Sequence, residues 1–303
     1  MNFDKKQLRN TMLLLLGALI WGTAFVAQSV GSGYVGPYTF LAARSWLACA
    51  FLIVLVLLRR GKARKADPGV PFWINGRMLL RGGVFCGVAL FAASAAQQIG
   101  IGTTSTAKAG FLTALYVVLV PVCGLFFKRK VSLPVWIAVA LSVIALYLLC
   151  INGEFSLAPG DLLILACAVC FTIHILVIDH FTATVDGVKL SCLQFLFAAL
   201  ISTVCMFLFE DVDFAAIWSC ILPLLYVGIF SCGVGYTLQI LAQKGSNPTV
   251  VTILLSLESV FAVIAGAIIL KQQMSVREYI GCAVMFAAVL LAQIDFPVKQ
   301  KAE

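Results

Sequence analysis

Residues 11–30 read TMLLLLGALIWGTAFVAQSV, twenty positions without a charge. A hydrocarbon core about 30 Å thick is crossed by roughly 20 apolar residues wound as an α-helix. The run is continuous rather than alternating, so it predicts a helix and not a barrel strand. It carries no cleavable signal pattern and is long enough to remain as a span. Working outward, breaks at charge clusters and at Gly, Pro and Asn turns separate ten such segments: 11–30, 37–58, 79–99, 104–127, 133–151, 161–179, 188–209, 215–241, 248–270 and 277–294. The 303 residues are 62% hydrophobic and 11% charged, against about 25% charged in soluble domains. A water-soluble fold could not cover that much apolar surface. A disordered chain and a disulfide scaffold are excluded by the same numbers. The predicted fold class is an all-α polytopic membrane protein with ten transmembrane helices.

The basic residues orient the chain. With the N-terminus placed in the cytoplasm, seventeen of the 21 Lys and Arg fall on the inner side. Lys5, Lys6 and Arg9 precede the first segment; Arg59, Arg60, Lys62, Arg64, Lys65, Arg77 and Arg81 follow the second. Lys128, Arg129, Lys130, Lys189, Lys244, Lys299 and Lys301 complete the set. Lys271 and Arg277 fall outside, and Arg44 and Lys108 within spans. An excess of cations in cytoplasmic loops predicts a plasma-membrane protein of bacterial (inner-membrane) type with both termini inside. The net charge of +8 is explained by insertion and by anionic lipid, so no nucleic-acid partner is expected.

The two halves resemble each other weakly. At an offset of 150 residues, Ala18-Leu19-Ile20-Trp21 matches Ala168-Val169-Cys170-Phe171, and Arg44 falls on Gln194. At an offset of 142, Gln97 falls on Gln239, and Leu115-Tyr116-Val117 on Leu257-Glu258-Ser259. Ser132 to Ile137 then runs alongside Ser275 to Ile280. Each unit holds five predicted spans, and an odd number inserts the second unit upside down. The expected organisation is two inverted five-helix repeats, residues 1–152 and 153–303, with a site near the midplane between them.

At these residues the chain resembles the EamA family of the drug/metabolite transporter superfamily. Leu19-Ile20-Trp21-Gly22-Thr23 is similar to the family's opening. Gly110 to Tyr116 with Pro121, and Leu255-Ser256-Leu257-Glu258 followed by Phe261-Ala262, look like the ends of its two repeats. Two positions depart from the pattern: Ser259 stands where the family often has Pro, and Lys271-Gln272 where it often has Gly-Glu. The resemblance implies a central cavity surrounded by segments one to four and six to nine. It also implies transport of small metabolites, notably amino acids, usually outward.

Against this apolar background, polar groups inside spans stand out. Glu258 is the only acid deep within one. An unpaired charge at the bilayer centre costs roughly 2.5–3.5 kcal/mol on insertion scales, so Glu258 is expected to be neutral or paired, with Arg44 or Lys108 as cations. Proton uptake and release there could couple to transport, which makes Glu258 the candidate proton-coupling residue. Arg44 could bind a substrate carboxylate through two parallel hydrogen bonds, or fix the bundle. Lys108 could line the cavity or reach the outer headgroups. Tyr116 lies two turns beyond Lys108, and Pro121 predicts a kink. His174 is a lone mid-span histidine that could line the cavity or bond a neighbouring helix. Cys167 and Cys170 share its face, but zinc wants four ligands, so no metal is expected. Trp21 shares a face with Gln28. Tyr236 and the repeat mates Gln97 and Gln239 add hydrogen-bonding groups. The candidate substrate-binding set is therefore Trp21, Arg44, Gln97, Lys108, Tyr116, His174, Tyr236 and Gln239.

Other function classes lack their residues. Gly31-x-Gly33-x-x-Gly36 matches a dinucleotide fingerprint but follows a membrane helix, and no Walker motif is present, so no cofactor is expected. No span carries a paired Asp or a Ser/His arrangement for an intramembrane enzyme. Gly83-x-x-x-Gly87 and the glycines at 228, 233 and 235 read as close-packing faces. What remains is a secondary transporter of a small molecule, with the lipid bilayer as its solvent and protons as the candidate coupling ion. An exchanger of phosphorylated metabolites or nucleotide sugars and an exporter of lipophilic cations are the alternatives.

Overall fold

The structure, a computed structural model, describes residues 5–66, 74–103, 106–128, 131–151, 159–269 and 274–293, and all regular structure among them is helical. The helices are α1 (Lys5–Gly31), α2 (Pro37–Ala66), α3 (Gly76–Ile101), α4 (Thr106–Ala114), α5 (Tyr116–Phe126), α6 (Leu133–Cys150), α7 (Pro159–Thr182), α8 (Gly187–Phe209), α9 (Phe214–Ser219), α10 (Ile221–Leu225), a π-helix (Tyr226–Gly235), α11 (Tyr236–Gln243), α12 (Pro248–Leu255), α13 (Leu257–Ile269) and α14 (Val276–Ala292). Among the described residues, nine stretches are long and apolar enough to cross a membrane. The tenth predicted segment is α14, a helix of 17 residues.

The long spans start where the expected breaks lie, but their interiors differ. Helix α2 runs eight residues past the predicted end and carries Arg59, Arg60 and Lys62 on helix, because Arg, Lys and Ala are good helix formers. Segment four is broken at Leu115, not kinked at Pro121, which sits inside α5. The proline ring crowds the carbonyl one turn back. The ladder yields just before that turn, where Leu115 N reaches Leu112 O at 3.3 Å and Val118 N reaches Leu115 O at 3.0 Å. Segment nine is broken at Ser256. Its hydroxyl donates to Thr252 O at 2.8 Å, and that of Thr252 donates to Thr249 O at 2.8 Å; such back-bonding bends helices. Segment eight passes through the ten-residue π-helix.

Two helix pairs run antiparallel. At one end of α2, Arg59 pairs with Asp186 at the start of α8, 3.6 Å apart. At the other, the Glu210 carboxylate beyond α8 accepts from the amides of Tyr38 and Thr39 at 2.8 Å each, and from the Thr39 hydroxyl at 2.6 Å. Glu210 thus caps a helix 171 residues away in sequence. Likewise the start of α14 meets the end of α6: Arg277 donates to Tyr147 O at 3.2 Å and lies 4.7 Å from its ring centre. The glycine faces are used as expected. A Cβ at Gly87 would lie 2.6 Å from Phe197 Cβ and 2.9 Å from Gln194 O on α8; one at Gly228 would lie 2.7 Å from Leu47 Cβ and 3.1 Å from Arg44 O on α2. Only glycine permits these approaches. Leu14, Phe40, Leu52, Leu90, Leu112, Leu146 and Phe195 fill the core they enclose.

Candidate functional site

A cavity with about 590 Å³ of empty space, part of it open to solvent, lies among α1, α2, α3, α7, the π-helix, α11 and the broken pairs α4–α5 and α12–α13. Its walls gather Trp21, Arg44, Gln97, Tyr116, Tyr236, Gln239 and Glu258 from the candidate set, together with Phe25, Gln28, Thr113, Phe171, Ile175, Ser231, Cys232 and Leu255.

Arg44 is 5% exposed. Its Nη1 donates to Gln28 Oε1 at 2.6 Å, while its Nε has no partner among the described residues. Gln28 stands on the face of Trp21, as the seven-residue spacing requires, and so fixes the guanidinium from the neighbouring helix. No carboxylate lies within salt-bridge distance of it among the described residues. An arginine held by a neutral amide keeps its charge uncompensated, and a fork with an open edge is a receptor for an anion.

Glu258 takes a partner other than Arg44. Tyr116 donates its hydroxyl to Glu258 Oε1 at 3.0 Å; an ion pair with Arg44 does not form. The reason is packing. A Cβ at Gly22 would lie 2.5 Å from Glu258 O and 2.6 Å from Phe261 Cβ, so α1 seats directly against α13 and aims the carboxylate across the cavity at α5. Glu258 is 5% exposed and Tyr116 4%.

An aromatic wall joins the two polar ends. Trp21 and Tyr236 have ring centres 4.7 Å apart, and Trp21 Nε1 donates to Ser231 O at 3.2 Å. That carbonyl belongs to the π-helix, so the irregular segment itself holds the indole. Gln97 donates to Thr113 Oγ1 at 3.3 Å, and Gln239 Oε1 has no partner among the described residues. Gln97 and Gln239, matched in sequence at the 142-residue offset, thus face one cavity.

One candidate falls elsewhere. His174 is fully buried and does not line the cavity; its Nε2 shares a hydrogen bond with Gln194 Oε1 at 3.0 Å, and its ring stands 5.9 Å behind that of Tyr236. One helix–helix bond holds its Nε2, while its Nδ1 has no partner among the described residues; the structure places it behind the cavity wall, not in the lining expected of the substrate set. The side chain of Lys108, like the loop position Lys271-Gln272, lies outside the described residues. Sequence reasoning missed Phe171, although it falls on Trp21 at the 150-residue offset. It also missed Ser231 and Cys232, whose glycine-rich surroundings were read only as packing.

Comparison with known proteins closes the description. The sequence profile of the EamA-like transporter family matches residues 9–151 and again residues 158–293. An uncharacterized transporter of Archaeoglobus fulgidus is 28% identical over 295 residues, 95% of this chain and 87% of that one. The fold matches a solved crystal structure with a TM-score of 0.77 at 19% identity, covering 94% of this chain and 96% of the other.

Proposed function

The chain belongs to the EamA-like transporter family, part of the drug/metabolite transporter superfamily, and from that premise we propose that it is a secondary carrier exporting a small metabolite such as an amino acid. It has ten spans in two inverted repeats, residues 1–152 and 153–303, and sits in an inner membrane of bacterial type with both termini cytoplasmic. Rocking of one set of helices against the other exposes the cavity to each side in turn. Trp21, Gln28, Arg44, Gln97, Tyr236 and Gln239 bind substrate; Glu258 exchanges a proton with it.

One observation carries this reading: a buried arginine with an open edge and a buried acid face the same cavity across an aromatic wall. The arginine suits a carboxylate. The acid suits an ammonium group or a proton. A phosphorylated metabolite or nucleotide sugar asks for several cations, and Arg44 is the one the described walls supply. Lipophilic cations would use Glu258 and the aromatics but leave Arg44 without a role.

Counterflow of labelled amino acids in proteoliposomes, with and without a pH gradient, tests the proposal. Saturable counterflow is expected, with uptake rising under the gradient. Glu258→Gln is expected to keep counterflow but lose the gradient's effect. A fully proton-dependent Glu258→Gln variant overturns the coupling role, and an absence of saturable counterflow overturns the carrier.

A further inference from the structure

Tyr116 and Glu258 are separated by 142 residues and joined by a hydrogen bond. The same spacing relates Gln97 to Gln239 in the cavity wall and brings Leu115-Tyr116-Val117 onto Leu257-Glu258-Ser259 in sequence. The two bonded residues are therefore repeat mates, and residues that are mates and also touch lie where the two repeats meet.

Their place along the chain is as telling. Tyr116 is the first residue of α5, directly after the break at Leu115; Glu258 is the second of α13, directly after the break at Ser256. At both breaks a turn bond enters the helical ladder, Val118 N to Leu115 O at 3.0 Å and Ser259 N to Ser256 O at 3.2 Å, beside the helical bonds Leu119 N to Leu115 O at 3.2 Å and Ser256 N to Thr252 O at 3.0 Å, and such interruptions are where helices bend. The halves also cross: α5 packs against α12, and α13 against α4. On the orientation proposed above, α5 lies in the inner half of the membrane and α13 in the outer half. The bond from Tyr116 to Glu258 is the polar tie between the moving half of one repeat and the moving half of the other.

We propose that this bond makes the inner and outer gates move together, and that Tyr116 is a positioning residue that holds the Glu258 carboxylate at the crossing point. A swing of α5 drags Glu258 and with it α13, so one gate closes as the other opens. A substrate or proton that takes Glu258 must take it from Tyr116. The inference rests on the carrier reading of this chain.

The test needs no knowledge of the substrate. Protein-dependent proton leak is measured in liposomes loaded with a pH-sensitive dye, under an imposed pH gradient and with no amino acid present. Wild-type leak is expected to be low. Tyr116→Phe removes the tie with the ring retained and should raise leak roughly fivefold or more, the cost of leaving a buried carboxyl without its hydrogen-bond partner. The double exchange Tyr116→Glu with Glu258→Tyr restores the pair in mirrored order and should return leak to within about twofold of wild type. Both variants are checked for monodispersity in detergent. The proposal is overturned if Tyr116→Phe is as tight as wild type, if the monodisperse exchange variant leaks like Tyr116→Phe, or if wild type already leaks as much. Counterflow of labelled amino acids by wild type is measured in parallel. Its absence with the leak pattern intact removes the carrier reading but leaves the tie, whereas its presence with an unchanged leak removes the tie alone.

Discussion

A charge in a membrane span is rare enough to be read directly, and Arg44 and Glu258 were legible for that reason. Their partners were not. A guanidinium bonded to Gln28 and a carboxylate bonded to Tyr116 depend on which helices touch, and spacing along one helix cannot report that. His174 shows the reverse failure. A mid-span histidine looks functional in sequence, and only the third dimension reveals that it bonds Gln194 behind the cavity wall. The energetic weight of Arg44 follows from its open edge. Arg44→Ala should weaken an amino-acid substrate by roughly 10- to 100-fold, the loss of a charge-assisted bond. Arg44→Lys should recover part of that as a point charge without the fork. Competition for counterflow measures both, and an unchanged half-saturation constant for Arg44→Ala would remove Arg44 from the site. His174→Gln should leave that constant within about twofold, since the residue stands behind the wall.

Among the helices, existence and order were legible and interiors were not. Charge clusters and turn residues mark where an apolar run stops, because a membrane tolerates neither in its core. The breaks at Leu115 and Ser256 lie inside apolar runs, so hydropathy passes over them. Proline pointed to the right helix and the wrong residue, and Ser256 acts through a bond to the carbonyl four residues back that resembles any serine in a helix. Glycine contacts allow a sharper forecast. Gly87→Leu drives a side chain into Phe197 and the α8 backbone and should cost about 1–3 kcal/mol or prevent assembly of α3 on α8. At Gly61 nothing lies within 4 Å of a Cβ, so Gly61→Ala should gain about 0.5–1 kcal/mol from helix propensity. Thermal unfolding in detergent compares the two. At the start of α2, Glu210→Ala removes the carboxylate that caps it and should lower stability by about 0.5–2 kcal/mol.

For the molecule as a whole, the expectation of a repeat rests on matched positions that keep the same chemistry, such as glutamine on glutamine in the cavity wall. The orientation makes a direct forecast. A membrane-impermeant thiol reagent applied to intact cells should label Asp211→Cys in a background without the native cysteines and should miss Arg60→Cys; the opposite pattern would turn the topology over. The comparison of halves also exposes one inequality. Gly87 meets Gln194 and Phe197, while Gly228 meets Arg44 and Leu47, pairs related by the 150-residue offset. The glycines are therefore structural equivalents, yet they stand 141 residues apart in sequence, one fewer than separates Gln97 from Gln239. The second repeat holds one more residue between glycine and glutamine, and the π-helix Tyr226–Gly235 is how a helix absorbs an insertion without losing register beyond it. Two identical halves would make the inward and outward resting states equal in free energy, and the empty carrier would divide its time evenly between them. The halves resemble each other only weakly, and the inserted residue adds to that inequality, so on the carrier reading proposed above the idle protein has a home side, and its affinity for the same solute should differ when presented from the two faces of the membrane.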